Sequence, residues 1–159
     1  MPSVTKSVLL AHSRERMYAL VADIERYPEF LPWCGGASIS AQPDGSVLAT
    51  VQIDFRGLRQ SFTTLNRNRE PESINMELAK GPFRRLHGQW RFTALKQTAC
   101  KVEFRLDYEF AAGLLGRALA PIFDHIAGSM VDAFVRRADT MASSVTEASD
   151  PQSGRPGLR

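Results

Sequence analysis

The residues best suited by type to polar chemistry are His12, His87, His125, Cys34, Cys100 and Tyr108. The histidines stand apart from one another and from any cysteine pair, so none has the spacing of a metal ligand set. Asp124 and His125 are neighbours in a helical stretch, where adjacent positions point in different directions. Cys34 and Cys100 form no CxxC, and Cys34 has no base close in sequence to activate it as a nucleophile. Both read as small apolar fillers in a reduced compartment. Glu103, Asp107 and Glu109 fall on the strand face opposite Phe104 and Tyr108, which describes a solvated face rather than an acid–base pair. GxSxG, P-loop and GxGxxG motifs are absent. A cyclase would need a buried proton donor or acceptor beside its substrate, and Tyr108 is the best on offer. A tyrosine in such a place is mostly packing with one hydrogen bond. No catalytic residue, no metal and no cofactor is therefore expected.

Apolar chemistry is better supplied. Residues 27–34 read YPEFLPWC and residues 81–92 read GPFRRLHGQWRF. Both are punctuated by Pro or Gly like loops, yet both are dense in aromatics. Loops are ordinarily polar, so greasy loops suggest the mouth or lid of a container for an apolar guest.

Charge adds a second feature. The net charge is +3, but residues 56–105 carry eleven Lys/Arg against four Asp/Glu, a local balance of +7. Residues 1–55 and 106–145 are each at −2, from four against six and three against five. A basic middle is either the solvent face of a set of strands or a surface for RNA, a ribosome or anionic lipid.

The positioning elements follow from periodicity. At 159 residues the chain is one domain with a real core. No apolar run reaches the roughly 18 residues of a membrane span, and the N-terminus lacks a secretory apolar region, which points to a cytoplasmic protein. Val4–Leu10 reads as an edge strand. Ser13 caps a helix through Met17, Tyr18, Leu20, Val21 and Ile24, and Asp23 opens a second short helix ended by Pro28 and Pro32. From Gly36 the period is two, with turns at Pro43–Ser46, Arg56–Gly57, Glu70–Glu72, a loop at 80–84, and a turn near Lys96–Thr98. Val102, Phe104, Leu106, Tyr108 and Phe110 alternate with charged residues, the clearest half-buried strand in the chain.

Beyond Ala111 the period is helical. Leu115, Leu119, Ile122, Ile126, Met130, Phe134, Ala138 and Met141 form one long apolar stripe, with Pro121 set to kink the helix or to begin it. Residues 1–145 are one domain, and 146–159 form a polar, disordered tail. An antiparallel sheet with one apolar face must be covered, and only the last helix is large enough. A curved sheet around one helix leaves space for an apolar ligand between them.

On YPEFLPWC and GPFRRLHGQWRF, in this order and separation, residues 2–145 resemble the START-like, helix-grip superfamily. Within it the motifs resemble the family of the mitochondrial coenzyme-Q-binding proteins and the bacterial ribosome-association toxin RatA. The resemblance implies an α+β helix-grip fold: about six or seven antiparallel strands wrapped around a long C-terminal helix, with two short helices after the first strand. It implies one of two functions, binding of ubiquinone or a similar isoprenoid in support of respiration, or blocking of ribosomal subunit joining. A cyclase or dehydrase is a weaker alternative.

For the first function, Phe55, Phe62, Met76, Trp90, Phe104, Leu106 and Tyr108 would line the sheet side of the hollow. Ile122, Ile126 and Met130 would line the helix side. Phe30, Leu31, Trp33 and Phe83 would form the rim. For the second, Arg84 and Arg85, with Arg56, Arg59, Arg67 and Arg69, would meet rRNA phosphates of the large subunit. The same basic groups would suit transient contact with the inner membrane surface.

Overall fold

The computed structural model describes residues 3–149, with side-chain surroundings through residue 142. Seven strands form one antiparallel sheet, in the order β1-β7-β6-β5-β4-β3-β2. The chain starts on one edge with β1, Ser3–Leu10, which pairs with β7, Ala99–Phe110. It then crosses to the far edge through α1, Arg14–Ala22, and a 3-10 helix, Ile24–Glu29. From there it meanders back through β2 (Cys34–Ala41), β3 (Val47–Phe55), β4 (Leu58–Arg69), β5 (Ser73–Lys80) and β6 (Phe83–Lys96) to β7. The last element is α2, Leu114–Ser149. The expected helix-grip architecture is present.

Local chemistry explains the joints. The Ser13 hydroxyl accepts the Arg16 N–H at 3.1 Å, which satisfies one free donor at the start of α1. Arg56 and Gly57 both have positive φ, 53° and 82°. A two-residue hairpin loop needs that twist to keep its strands paired, and Phe55 and Leu58 close directly across it. Bulges interrupt β2, β5 and both ends of β6, adding local bend and twist to the sheet.

Three expectations are corrected. Residues 80–84 are not a loop, because β6 begins at Phe83 and only Gly81 and Pro82 link it to β5. The second aromatic motif is therefore strand, not lid. A bulge between Phe83 and Arg85 leaves both Arg84 and Arg85 exposed, which breaks the alternation that marks a strand. Pro121 neither breaks nor begins α2, which starts at Leu114 and continues through it. The buried stripe of α2 is also rotated from the one expected. Leu115 and Met141 are 44% and 43% exposed, whereas Phe123 and Ala127 are buried.

The helix runs to Ser149, past the expected domain boundary at 145. The rest of the expected tail, 150–159, lies outside the described residues. The segment Leu114–Ala142 is long and apolar enough, by length and composition, to cross a membrane, its most apolar 18 residues having a mean hydropathy of 1.3, contrary to the expectation that no run reaches that length. In the fold that segment is a core helix. Phe123, Ile126, Phe134 and Ala138 are buried in one core with the sheet's inner face, and Leu119 is buried as well.

Burial decides how α2 is held. Each fully buried Phe, Leu or Ile contributes about 1.5–3 kcal/mol. The Arg137–Glu29 pair at 2.6 Å is half open to water and belongs to a class worth about 0–1 kcal/mol. Apolar packing therefore dominates, and polar contacts set the alignment.

Candidate functional site

A cavity of about 80 Å³ lies between the inner face of the sheet and α2. Alternate positions of the strands supply its floor: Ala49 and Val51 from β3, Phe62, Thr64 and Asn66 from β4, Met76 from β5, Leu86 and Trp90 from β6, Phe104 and Leu106 from β7. Phe123, Ile126, Ala127 and Met130 of α2 form its roof. Ile24 and Tyr27 of the 3-10 helix, with Trp33, close one end. Buried Gly88 keeps the floor low. A Cβ there would stand 2.6 Å from the Met76 Cε and 2.9 Å from a Leu106 Cδ, so a side chain would displace both.

The size is informative. A water takes about 30 Å³ of liquid, so the space matches a few waters or one small ring, well below the roughly 300 Å³ and more of an ordinary ligand pocket. The rings of Trp90, Phe104, Phe123 and Phe62 occupy much of the interior. Two lining residues, Met76 and Met130, are unbranched and half-buried, and can rearrange around a larger guest.

The chemistry of the lining is apolar. Among the described residues it contains no Asp, Glu, Lys, Arg, His or Cys. Its one titratable group is Tyr27, whose hydroxyl donates to the Val21 carbonyl at 2.5 Å and whose pKa burial drives up. Thr64 and Asn66 are the polar exceptions. The Thr64 hydroxyl donates to the Asn66 Oδ1 at 2.7 Å, and both residues are buried.

Of the fourteen residues expected around the hollow, eight line this cavity: Trp33, Phe62, Met76, Trp90, Phe104, Leu106, Ile126 and Met130. The other six lie elsewhere. Phe83 stands behind the wall, its ring 5.5 Å from Phe62 and 5.0 Å from Phe123. Tyr108 packs edge-on to Phe123 at 4.8 Å and donates its hydroxyl proton to Asp124. Phe30 lies between Tyr27 and Phe134, with the Arg137 guanidinium 4.9 Å from its ring centre. Phe55 and Ile122 border a separate outer depression with Arg56, Pro121 and His125, where Phe55 and His125 stack at 5.9 Å. Leu31 is buried in the core without lining the cavity.

Sequence reasoning missed Ile24, Tyr27, Ala49, Val51, Thr64, Asn66, Leu86, Phe123 and Ala127. The alternation that put Phe62 and Thr64 on one face of β4 extends to Asn66. A polar pair two apart on an apolar face was the available signal.

The remaining chemical candidates are engaged elsewhere. His12 bonds Asp139 at 2.6 Å through Nε2 and receives Arg16 at 3.2 Å on Nδ1, fastening the start of α1 to α2. Cys34 and Cys100 are buried free thiols, and burial raises the pKa of both. Among the described residues no group of three or more His, Cys, Asp and Glu could hold a metal.

The six arginines are on the outside but are not all bare. Arg59 reaches Asp54 at 3.4 Å, Arg67 reaches Asp44 at 3.3 Å, and Arg84 and Arg85 share Glu109 at 3.7 and 3.6 Å. Arg56 sits over the Phe55 ring at 5.1 Å, and Arg69 is exposed. Exposed pairs of this kind are weak, so the arginines can exchange partners.

Comparison with known proteins agrees with this architecture. The family model described as polyketide cyclase / dehydrase and lipid transport matches residues 10–135. The ribosome association toxin RatA of Escherichia coli strain K12 is 41% identical over 143 residues, covering 90% of each chain. The mitochondrial coenzyme Q-binding protein COQ10 homolog B of Xenopus laevis is 25% identical over 138 residues, 84% of this chain and 57% of that one. The solution structure of an 18 kDa protein from Caulobacter crescentus superposes with a TM-score of 0.70 at 32% identity, covering 90% of this chain and 99% of the other. The chain belongs to the polyketide cyclase / dehydrase and lipid transport family, in the START-like group that holds RatA and the coenzyme-Q-binding proteins.

Proposed function

We propose that the chain binds an apolar isoprenoid such as ubiquinone between its sheet and α2, and that it does so without catalysis, in support of respiration. The observation that carries this reading is the cavity lining, which offers aromatic and aliphatic surface and no free acid or base. Such a wall gains about 25 cal/mol for each Å² of apolar surface it covers, and its one titratable group, Tyr27, already donates its hydroxyl to the Val21 carbonyl. At about 80 Å³ the cavity is a starting space that must widen to admit a quinone ring. The prenyl tail extends past the aromatic wall as Met76 and Met130 rearrange. The name of the coenzyme Q-binding relative adds support. On this reading the protein works in the cytoplasm, peripheral to the inner membrane, where its exposed arginines meet anionic lipid. The test is to purify the protein from cells, extract it with organic solvent and examine the extract by absorbance and mass. A co-purifying quinone is expected. Its absence, with no uptake of added quinone, would count against the proposal.

A second reading is favoured by a different observation. The relatives at 41% identity carry the name of a ribosome association toxin, and Arg56, Arg59, Arg67, Arg69, Arg84 and Arg85 are available to phosphate. On this reading the chain binds the large ribosomal subunit and inhibits translation. Cosedimentation with large subunits that weakens steeply with salt would support it. Its absence at low salt would remove it.

A further inference from the structure

We infer that Asn66 is the polar anchor of the cavity, donating an amide N–H to an acceptor oxygen on the buried end of the guest. This rests on the reading above that the cavity takes an apolar guest, and it narrows that guest to isoprenoids with a carbonyl head. Asn66 is 3% exposed and lines the cavity. The Thr64 hydroxyl donates to its Oδ1 at 2.7 Å, which leaves the Nδ2 side of the amide to the cavity. Among the described residues Nδ2 makes no hydrogen bond, and it is not one of the fully enclosed unpaired side-chain atoms, which are Arg14 Nε and Arg137 Nε, so it stays open to the cavity. Its cross-strand neighbours offer none through their side chains, being Val47 on β3 and Met76 on β5. Thr64 is flanked in the same way by Ala49 and Leu78.

A buried amide is costly unless hydrogen-bonded, and a structural pair would satisfy both halves of it. Here one half is satisfied by Thr64 and the other faces apolar space. That is the pattern of a specificity group, because a guest that lacks the matching acceptor leaves the donor unpaired. A quinone carbonyl is an acceptor without a proton to donate, and it complements an N–H. The Thr64 hydroxyl is a positioning group that keeps the donor side of the amide inward.

The experiment compares two probes by microcalorimetry: ubiquinone with one isoprene unit, and farnesene, an isoprenoid hydrocarbon with no oxygen. Asn66→Leu should weaken the quinone about tenfold, the loss of one hydrogen bond, while farnesene binds as well as before or better. Thr64→Val should move quinone affinity in the same direction by less. Asn66→Ala gives the same reading if the leucine variant does not fold. An unchanged quinone affinity in a folded Asn66 variant would overturn the anchor, as would an equal loss for both probes. If the wild-type protein takes up neither probe, the cavity reading itself fails and the anchor falls with it.

Discussion

The Tyr108 hydroxyl donates its hydrogen bond to the Asp124 carboxylate, tying β7 to α2 from behind the cavity wall. The phenol is 2% exposed, and its pKa is pushed up first by burial and then by this carboxylate. The best proton donor in the sequence is therefore held protonated, and it is used for alignment.

Tyr108→Phe keeps the ring that packs on Phe123 and removes only this bond. The expected loss is about 1–1.5 kcal/mol of folding stability in urea, since the acceptor is charged but partly wet. Quinone affinity should stay within twofold. A collapse of guest binding with intact folding would return Tyr108 to the site.

Filling the cavity should separate binding from folding. Ala127 is 1% exposed on the face of α2 that lines the hollow. Ala127→Leu adds three carbons to an unfilled space, so thermal stability should change by less than about 1.5 kcal/mol in either direction. Guest uptake should fall at least tenfold. Undiminished uptake by the folded variant would show that the guest binds elsewhere.

Charge reversal on the arginines should be silent for the guest. Arg84 and Arg85 pair with half-exposed Glu109 and do not touch the cavity. Arg84→Glu with Arg85→Glu should leave quinone affinity unchanged. The same variant should lower the salt slope of any ribosome or vesicle binding by about one for each phosphate no longer neutralised. Loss of quinone affinity in this variant would contradict the division between wall and surface.

Acid should loosen the first hairpin. The Asp44 carboxyl accepts from the Ser46 hydroxyl and backbone N–H, aided by Arg67, and these hold its pKa at about 2 instead of the ordinary 3.8. The folded state thus releases a proton that the unfolded chain keeps, so the stabilisation is full above pH 4 and is lost as pH falls from about 4 to 2. The urea midpoint of the wild type should drop across that window more than that of Asp44→Asn. Parallel curves would mean that the Asp44 turn contributes nothing to acid stability.

The legible part of the fold is the part with a single buried face. β7 could be read from Val102 to Phe110 because water lies on one side of it and core on the other. The start of β6 could not, since its bulge turns Arg84 and Arg85 outward together. On α2 the adjacent pair Ile122 and Phe123 allowed two stripes about 100° apart, and only packing against the sheet selects Phe123. Pro121 is the eighth residue of α2, past the first turn, but it and Arg117 are both exposed, so the Arg117 carbonyl that loses its helical partner can turn to water. Thr64 and Asn66 stayed hidden because polar residues on a strand read as solvent-facing. What inverts that reading is the cavity that both residues line beside Phe62.

The two tryptophans of the chain, Trp33 and Trp90, both line the cavity, so intrinsic fluorescence reports on its occupancy directly. Titrating the wild-type protein with short-chain ubiquinone should quench that emission to a saturable endpoint at one equivalent, and Ala127→Leu should abolish the saturable phase. A linear, non-saturating loss of signal, identical in both proteins, would contradict the claim that an apolar guest sits between the sheet and α2.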